Sequence, residues 1–168
     1  YNYDAALTSQ YEALGIRLEL YGHNHADTAN TFFVIGNTQS AKGDYETALQ
    51  SYEQALAIRQ NFHGKIHQDV SFVFDHIGFT KYLLKEYDSA LHWLQQARDI
   101  RVALYGKEHP TSANSYYCIA ECQREMQDYD SALKSCQQAL DIRLKLFGQE
   151  CDFTSDSYRQ MELIRNRK

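Results

Sequence analysis

The sequence lacks the features that mark a nucleic-acid or membrane partner. Its 17 lysines and arginines are scattered among 22 aspartates and glutamates, with no basic block and a net charge of −5. No apolar run approaches the roughly 20 residues that a membrane helix needs, and no charged and then apolar leader opens the chain. We therefore expect a cytoplasmic protein that neither takes nucleic acid as its main partner nor inserts into a membrane.

Motifs of catalysis and of metal binding are also missing. The chain contains no G-x-S-x-G, no phosphate-binding loop and no H-E-x-x-H, so we expect neither an enzyme nor a cofactor. The four cysteines, Cys118, Cys122, Cys136 and Cys151, all lie in the last third, which favours free thiols over disulfides. A zinc or redox site of Cys118, Cys122, Cys136 and His109 is the alternative. Because their spacing matches no standard motif, we predict no metal.

What the chain does contain is one stretch written four times. Residues 87–109, YDSALHWLQQARDIRVALYGKEH, recur at a constant step of 42 residues, with no insertion between the copies. A fixed period predicts a stack of like units whose stability comes mostly from contacts between neighbours. In this copy the residues that are invariant in all four are Tyr87, Ala90, Leu91, Ala97, Ile100, Arg101 and Gly106.

Each copy has the start and stop signals of a helix, which we call helix B. An acidic residue follows the tyrosine, where the positive end of a helix favours it, and Asp44 or Asp128 precedes the tyrosine as a cap. The invariant glycine is expected to end the helix. The two invariant alanines lie seven residues apart, close to two turns, so both face the same side and allow a second helix to approach closely.

The segments between the copies predict a second set of helices, helix A. They share an aromatic residue, an isoleucine and a small residue at helical spacing. Gly43 stands where one of these helices should end, and Pro110 falls in the loop before another. The three segments cover residues 26–44, 68–86 and 110–128. The residues that we expect at their N-caps are Asp27, Asp69 and Thr111.

Residues 152–168 start a further helix A. Glu162 replaces the small residue of the earlier units, which fits a terminal capping helix whose outer face meets water. A cut inside a longer array is the alternative, and because the chain opens with a helix B we expect more repeats before it. The predicted organisation is one array over 1–168, with a half repeat, three repeats and a terminal helix at 1–25, 26–67, 68–109, 110–151 and 152–168.

This pattern resembles the tetratricopeptide repeat, in the 42-residue version found in kinesin light chains and related arrays. The paired alanines, the small residue of helix A and the G-x-x-H loop carry the resemblance, which covers nearly the whole chain. It implies an all-α fold, a right-handed superhelix of helix pairs whose A helices line a concave groove for a peptide. Kinesin light chains typically carry two asparagines on that wall. Here those columns read Phe33-Val34, Asp75-His76 and Tyr117-Cys118, so cargo binding is not carried over.

One stripe of helix A is expected to face the groove, and it mixes aromatic with hydrogen-bonding side chains. Exposed aromatic residues rimmed by polar ones are what a peptide-anchoring surface needs. The alternative is that Phe72, Phe79 and Tyr82 only pack between helices. Phe72 and Ser40 complete the stripe, and the residues that we predict to line the peptide-binding groove are Asn30, Phe33, Asn37, Asp75, Phe79, Tyr82, Asn114, Tyr117, Glu121 and Arg124.

Two further columns recur in every unit or nearly so. The invariant arginine, Arg101 in the third copy, is suited to a carboxylate-rich ligand, but we favour a structural role in which it pairs with a loop or a neighbouring acid. A histidine three residues after the glycine is expected to order the loop, and Cys151 takes its place in the fourth copy.

The sequence therefore predicts a protein-interaction module that binds a peptide segment of a partner protein in the groove. Phe33, Phe79 and Tyr117 would serve as apolar anchors. A rigid spacer, a self-associating element and a regulatory domain of a larger effector are the alternatives that the sequence leaves open.

Overall fold

A computed structural model describes residues 2–167, and these residues fold into helices joined by short loops. The predicted all-α class is confirmed, with no strand within the described range. None of the helices in that range has the length and apolar character needed to cross a bilayer. The helices are α1 Tyr3–Tyr21, α2 Ala26–Lys42, α3 Tyr45–His63, α4 Gln68–Leu83, α5 Tyr87–Tyr105, α6 Pro110–Glu125, α7 Tyr129–Phe147 and α8 Asp152–Arg165.

Helices that follow one another in the sequence also pack against one another in space. The most extensive contacts join α2 to α3, α4 to α5 and α6 to α7, each a helix A with the helix B that follows it. Contacts of α3 with α4 and of α5 with α6 connect one pair to the next, and α1 and α8 pack against the two ends. The core is therefore a row of interfaces along the stack, as the repeat predicts.

Small residues allow each pair to pack closely. The first invariant alanine of α3, α5 and α7 is fully buried, and these residues are Ala48, Ala90 and Ala132. On helix A, Gly36 lies so close to the Tyr52 ring that an added Cβ would stand 2.6 Å from Tyr52 Cε1. In the next unit the residues at these two positions are Gly78 and Leu94, and in the third they are Ala120 and Cys136. The small residue of helix A is therefore glycine opposite tyrosine or leucine, and alanine opposite the smaller cysteine.

The invariant glycines end the B helices, as expected. Gly22, Gly64, Gly106 and Gly148 have φ angles of 76°, 76°, 84° and 77°, a left-handed backbone that residues with a Cβ rarely adopt. Each donates its N–H to the carbonyl four residues earlier, as Gly64 does to Gln60 at 2.9 Å. Gly43 likewise ends α2, in the left-handed conformation with a φ of 97°.

The prediction that Asp27, Asp69 and Thr111 cap the A helices is wrong. A histidine two residues earlier is the N-cap, and its Nδ1 accepts the backbone N–H of the predicted residue. Each of these imidazoles also stacks on the ring that ends the preceding helix B, with centroids 4.0 to 4.6 Å apart. The predicted ordering of the loop by histidine is thereby confirmed. The capping residues are His25, His67 and His109.

Three smaller differences concern the remaining caps. Asp44 precedes α3 without a side-chain cap, whereas Asp128 Oδ1 accepts the N–H of Ser131 as predicted. Pro110 is the first residue of α6 rather than part of the loop, a position where its missing N–H is not needed. Cys151 stands at the N-cap of α8 but makes no capping hydrogen bond with its side chain.

The helices at both ends of the stack expose large apolar side chains. On α1, Ile16 is 58% exposed, while the matching residues Ile58, Ile100 and Ile142 are buried. No helix of residues 2–167 covers this side of α1, so its apolar face meets water. On α8, Glu162 is exposed, and so are Phe153, Tyr158 and Leu163.

Candidate functional site

The predicted groove residues lie on α2, α4 and α6, which form what we call the groove surface. Five of them meet at one cavity of about 240 Å³ between α4 and α6, here named the central cavity. The residues around it were not all predicted, since His76, Leu94 and Cys118 also contribute. The full lining of the central cavity is Asp75, His76, Phe79, Tyr82, Leu94, Asn114, Cys118 and Glu121.

Phe79 is the most open aromatic residue of this cavity. It is 56% exposed, whereas His76 and Tyr82 beside it are half-buried. The Tyr82 ring lies parallel to it, with centroids 6.4 Å apart, and Tyr82 packs in turn on the edge of Tyr87. The two rings are therefore held by the helix pair below them while one of them faces the groove.

The other predicted aromatic anchors are partly covered by their own repeat. Phe33 is half-buried, with the Arg59 guanidinium 4.6 Å from its ring centroid and the His76 ring at its edge. Tyr117 is half-buried as well, with the Arg143 guanidinium at the same distance from its ring. Both rings thus contribute to the packing between repeats, and they offer less free surface than Phe79.

Several predicted polar contacts are already used inside the protein. Asn37 Oδ1 accepts the Tyr52 hydroxyl at 2.9 Å, and Asn30 Oδ1 accepts Arg59 at 2.9 Å. Asn114 accepts Arg143 at 3.4 Å, although its side chain is exposed at the cavity. Arg124 bonds to Glu125 at 2.8 Å and does not line the central cavity.

Three of the four invariant arginines, Arg59, Arg101 and Arg143, join three helices each, and Arg17 joins α1 to α2, which confirms the structural role that we favoured. Arg59 donates to the backbone carbonyl of Asp69 in the first turn of the next helix A, and Arg143 donates to Phe153 in the same way. Arg101 instead bonds to Ser115 and forms an ion pair with Asp75. All three guanidinium groups are buried, so these bonds keep successive repeats in register.

Burial dominates the electrostatics of the central cavity. It raises the pKa of Asp75, although the Arg101 charge opposes this shift, and it raises the pKa of Glu121. Burial and the charge of Arg59 lower the pKa of His76, so this ring is neutral at neutral pH. Burial also raises the pKa of the Cys118 thiol to about 12, which leaves it uncharged and a poor nucleophile.

A second cavity of about 350 Å³ lies beside the first, where α6 begins. Phe72, Phe147 and Phe153 form apolar walls, and Arg101 and Arg143 reach it from the buried side. Asn114 lines both cavities, so the two adjoin at this residue.

The residues that sequence reasoning missed carry a recognisable signal. His76 and Cys118 occupy the column in which the resemblance places one of the two asparagines, directly after the predicted stripe position. A helix surface wide enough for a peptide includes this neighbouring column as well as the stripe itself. Leu94 lies on helix B, and only the close approach of α5 to α4 brings it to the cavity.

One group of side chains within residues 2–167 has the composition of a metal site, namely His63, His67 and Asp69. Its parts are explained by the fold. His67 Nδ1 already accepts the Asp69 N–H, and the two imidazoles stack with centroids 4.0 Å apart, as Tyr21 and His25 do in the first unit. Lone pairs of parallel rings do not converge on one ion. Within residues 2–167 the structure does not bring Cys118, Cys122 and Cys136 together with His109 as possible ligands of one metal ion.

Comparison with known proteins gives one family and a consistent set of folds. The family model described as tetratricopeptide repeat matches residues 2–61 and 70–145. Among solved structures, BtubC (BKLC) from P. vanneervenii is similar with a TM-score of 0.87 at 18% identity, over 99% of this chain and 66% of that one. This chain therefore spans just under two thirds of BtubC.

Two more solved structures share the architecture. Nearly identical TPR-like repeats of a kinesin light chain candidate from Podosopora anserina are similar with a TM-score of 0.85 at 16% identity, over 98% of this chain and 78% of that one. The type III secretion translocator chaperone SycD of Yersinia enterocolitica gives 0.63 at 17% identity, over 85% of this chain and 87% of that one. Structural similarity at such low sequence identity establishes the fold alone, and it confirms the predicted superhelix of helix pairs. No curated protein sequence matches the chain.

Proposed function

The chain belongs to the tetratricopeptide repeat family, and from this premise we propose that it binds an extended or helical segment of a partner protein along its groove surface. Arrays of this family are protein-interaction modules and generally non-enzymatic scaffolds. The segment would lie across α2, α4 and α6 and reach the central cavity with one side chain.

The observation that carries this proposal is the exposed Phe79 ring at the mouth of the central cavity. An apolar ring supplies burial at low entropy cost when a partner covers it, which is why aromatic residues dominate binding energy at interfaces. Asn114 and Glu121 lie at the same cavity and offer hydrogen-bonding groups around the ring. Phe33 and Tyr117 would support the segment on either side, as the sequence predicts.

A displayed library of short random peptides, selected on the immobilised domain, tests this directly. The test variant is Phe79→Ala, and the matched control is Phe62→Ala, which removes a similarly exposed phenylalanine (52%) from the end of α3. Circular dichroism must show equal helicity for all three proteins. Peptides enriched by the native domain and by Phe62→Ala, but bound at least about tenfold more weakly by Phe79→Ala, would support the proposal.

The opposite pattern would refute it. If the native domain enriches no peptide, or if Phe79→Ala binds the enriched peptides as well as the control does, recognition does not use the groove surface. A triple variant with Phe33, Phe79 and Tyr117 changed together is less informative, because Phe33 and Tyr117 also pack beneath Arg59 and Arg143.

Self-association is the second candidate, and the open face of α1 favours it. Ile16 and Leu20 lie one turn apart and are exposed together on one side of this helix. Sedimentation over a range of concentrations would show a rising mass if this face binds another copy, and Leu20→Glu would abolish the rise. A constant monomer mass would dismiss this candidate.

A further inference from the structure

Two acidic residues line the central cavity, and of these Glu121 is the one without a hydrogen bond or ion pair to another residue of the described range 2–167. Asp75, the other, is paired with Arg101, and Glu125 nearby is paired with Arg124. The Glu121 carboxylate makes no hydrogen bond and no ion pair with any residue from 2 to 167. Arg124 lies near enough to act on its charge, but the Arg124 guanidinium bonds to Glu125 instead. A half-buried carboxylate without a partner is unfavourable, and an incoming cation would relieve it.

The rings around Glu121 suit a cation as well. The faces of Phe79 and Tyr82 are parallel and both line the cavity, and a positive charge is attracted to such a face when it lies within about 6 Å of the ring centroid. His76 contributes an uncharged ring, and Leu94 and Cys118 complete an apolar wall. The cavity thus combines apolar sides with one carboxylate that makes no hydrogen bond or ion pair among residues 2–167.

We propose that the central cavity takes a basic side chain, lysine or arginine, from the segment bound in the groove, with its charge against Glu121 and its stem against Phe79 and Tyr82. This inference rests on the proposed function, because it names the residue class that the bound segment presents there. A lysine or arginine side chain has the required form, since its apolar stem packs on rings while its charged end finds the carboxylate. An acidic side chain would meet Glu121 as a like charge.

Synthetic peptide mixtures, acetylated and amidated at their ends, test the inference. In each mixture one position is fixed as lysine, arginine, norleucine, phenylalanine or glutamate, and binding is measured to the native domain, to Glu121→Gln and to Glu53→Gln. Glu53 is an exposed carboxylate of α3 and serves as the matched control. Norleucine keeps the lysine stem without its charge.

At one peptide position we expect the native domain to bind lysine or arginine about tenfold more tightly than norleucine. The Glu53→Gln variant should show about the same preference. In Glu121→Gln this preference should fall to less than about threefold, while peptides carrying norleucine still bind. If peptides bind but the preferred residue is apolar or acidic at every position, or if Glu121→Gln keeps the basic preference, the inference is overturned and the proposed function stands. If no mixture binds the native domain, both are overturned.

Discussion

Replacing Gly36 with alanine should destabilise the domain, although alanine is the better helix former. The new Cβ would stand 2.6, 2.7 and 3.1 Å from three atoms of the Tyr52 ring, which is 1% exposed and fixed by the hydrogen bond of its hydroxyl to Asn37. Overpacking of this kind costs about 1–3 kcal/mol. Alanine returns about 0.5–1 kcal/mol through helix propensity. The free energy of unfolding should therefore fall by about 1–2 kcal/mol.

Urea denaturation followed by circular dichroism measures this change, and the chain supplies its own controls. Gly15 is also a helical glycine, but nothing lies within 4 Å of the position of its added Cβ, so Gly15→Ala should stabilise by about 0.5–1 kcal/mol. Tyr52→Leu copies the residue that faces Gly78 in the next unit. In that background Gly36→Ala should cost roughly 0.5–1 kcal/mol less than it does alone, a partial relief because a Cβ at Gly78 would still stand 3.0 Å from Leu94 Cγ.

Two results would refute the packing that underlies this prediction. One is a Gly36→Ala domain that is as stable as Gly15→Ala or more so. The other is a cost of Gly36→Ala that is the same with tyrosine and with leucine at position 52, because two residues in direct contact must show coupling.

The remaining predictions concern charge, caps and pH. Asp75→Asn leaves the buried Arg101 guanidinium without its anion and should lower the free energy of unfolding by roughly 3 kcal/mol, measured in urea against Asp99→Asn as an exposed control. Cys151→Asp supplies the side-chain cap that α8 lacks and should raise the stability by about 1 kcal/mol, whereas Cys151→Ala should not. The raised pKa of Glu121 means that the folded state holds its proton more readily than the unfolded state does, so this residue disfavours folding above that pKa and ceases to do so below its ordinary value of 4.5. Glu121→Gln should therefore be more stable than the native domain at neutral pH, with the difference vanishing in acid. A difference that persists unchanged at low pH would contradict this.

The helices and their ends could be read almost completely from the repeat. Every predicted helix B forms and ends at its glycine, because a left-handed backbone is a local property of that residue. The predicted caps of the A helices are wrong because N-cap preference by residue type favours aspartate and threonine over histidine. In the structure His67 is the N-cap of α4, and it stacks on a ring of the preceding helix. That stack joins two helices, so no property of His67 alone reveals it.

The candidate site was only partly predictable. Helical spacing placed Asp75, Phe79 and Glu121 on one face, and the structure brings them to one cavity. It also assigns Asn30 and Asn37 to internal hydrogen bonds, which the same spacing could not show. The partners in those bonds, Arg59 and Tyr52, lie on the following helix B and meet the asparagines only when the pair packs.

The sequence by itself determined the family, the all-α stack and the limits of its helices, because these follow from residues within one unit repeated at a fixed step. Only the tertiary structure decided which side chains of the groove surface are free to bind. Phe33 and Phe79 both lie on the predicted stripe, yet Arg59 covers the first, whereas the second is 56% exposed. Glu121 and Asp75 are both carboxylates of the same stripe, yet Arg101 pairs with only one. Exposure and charge compensation depend on neighbours from adjacent helices, and their distances are set by how the helices pack.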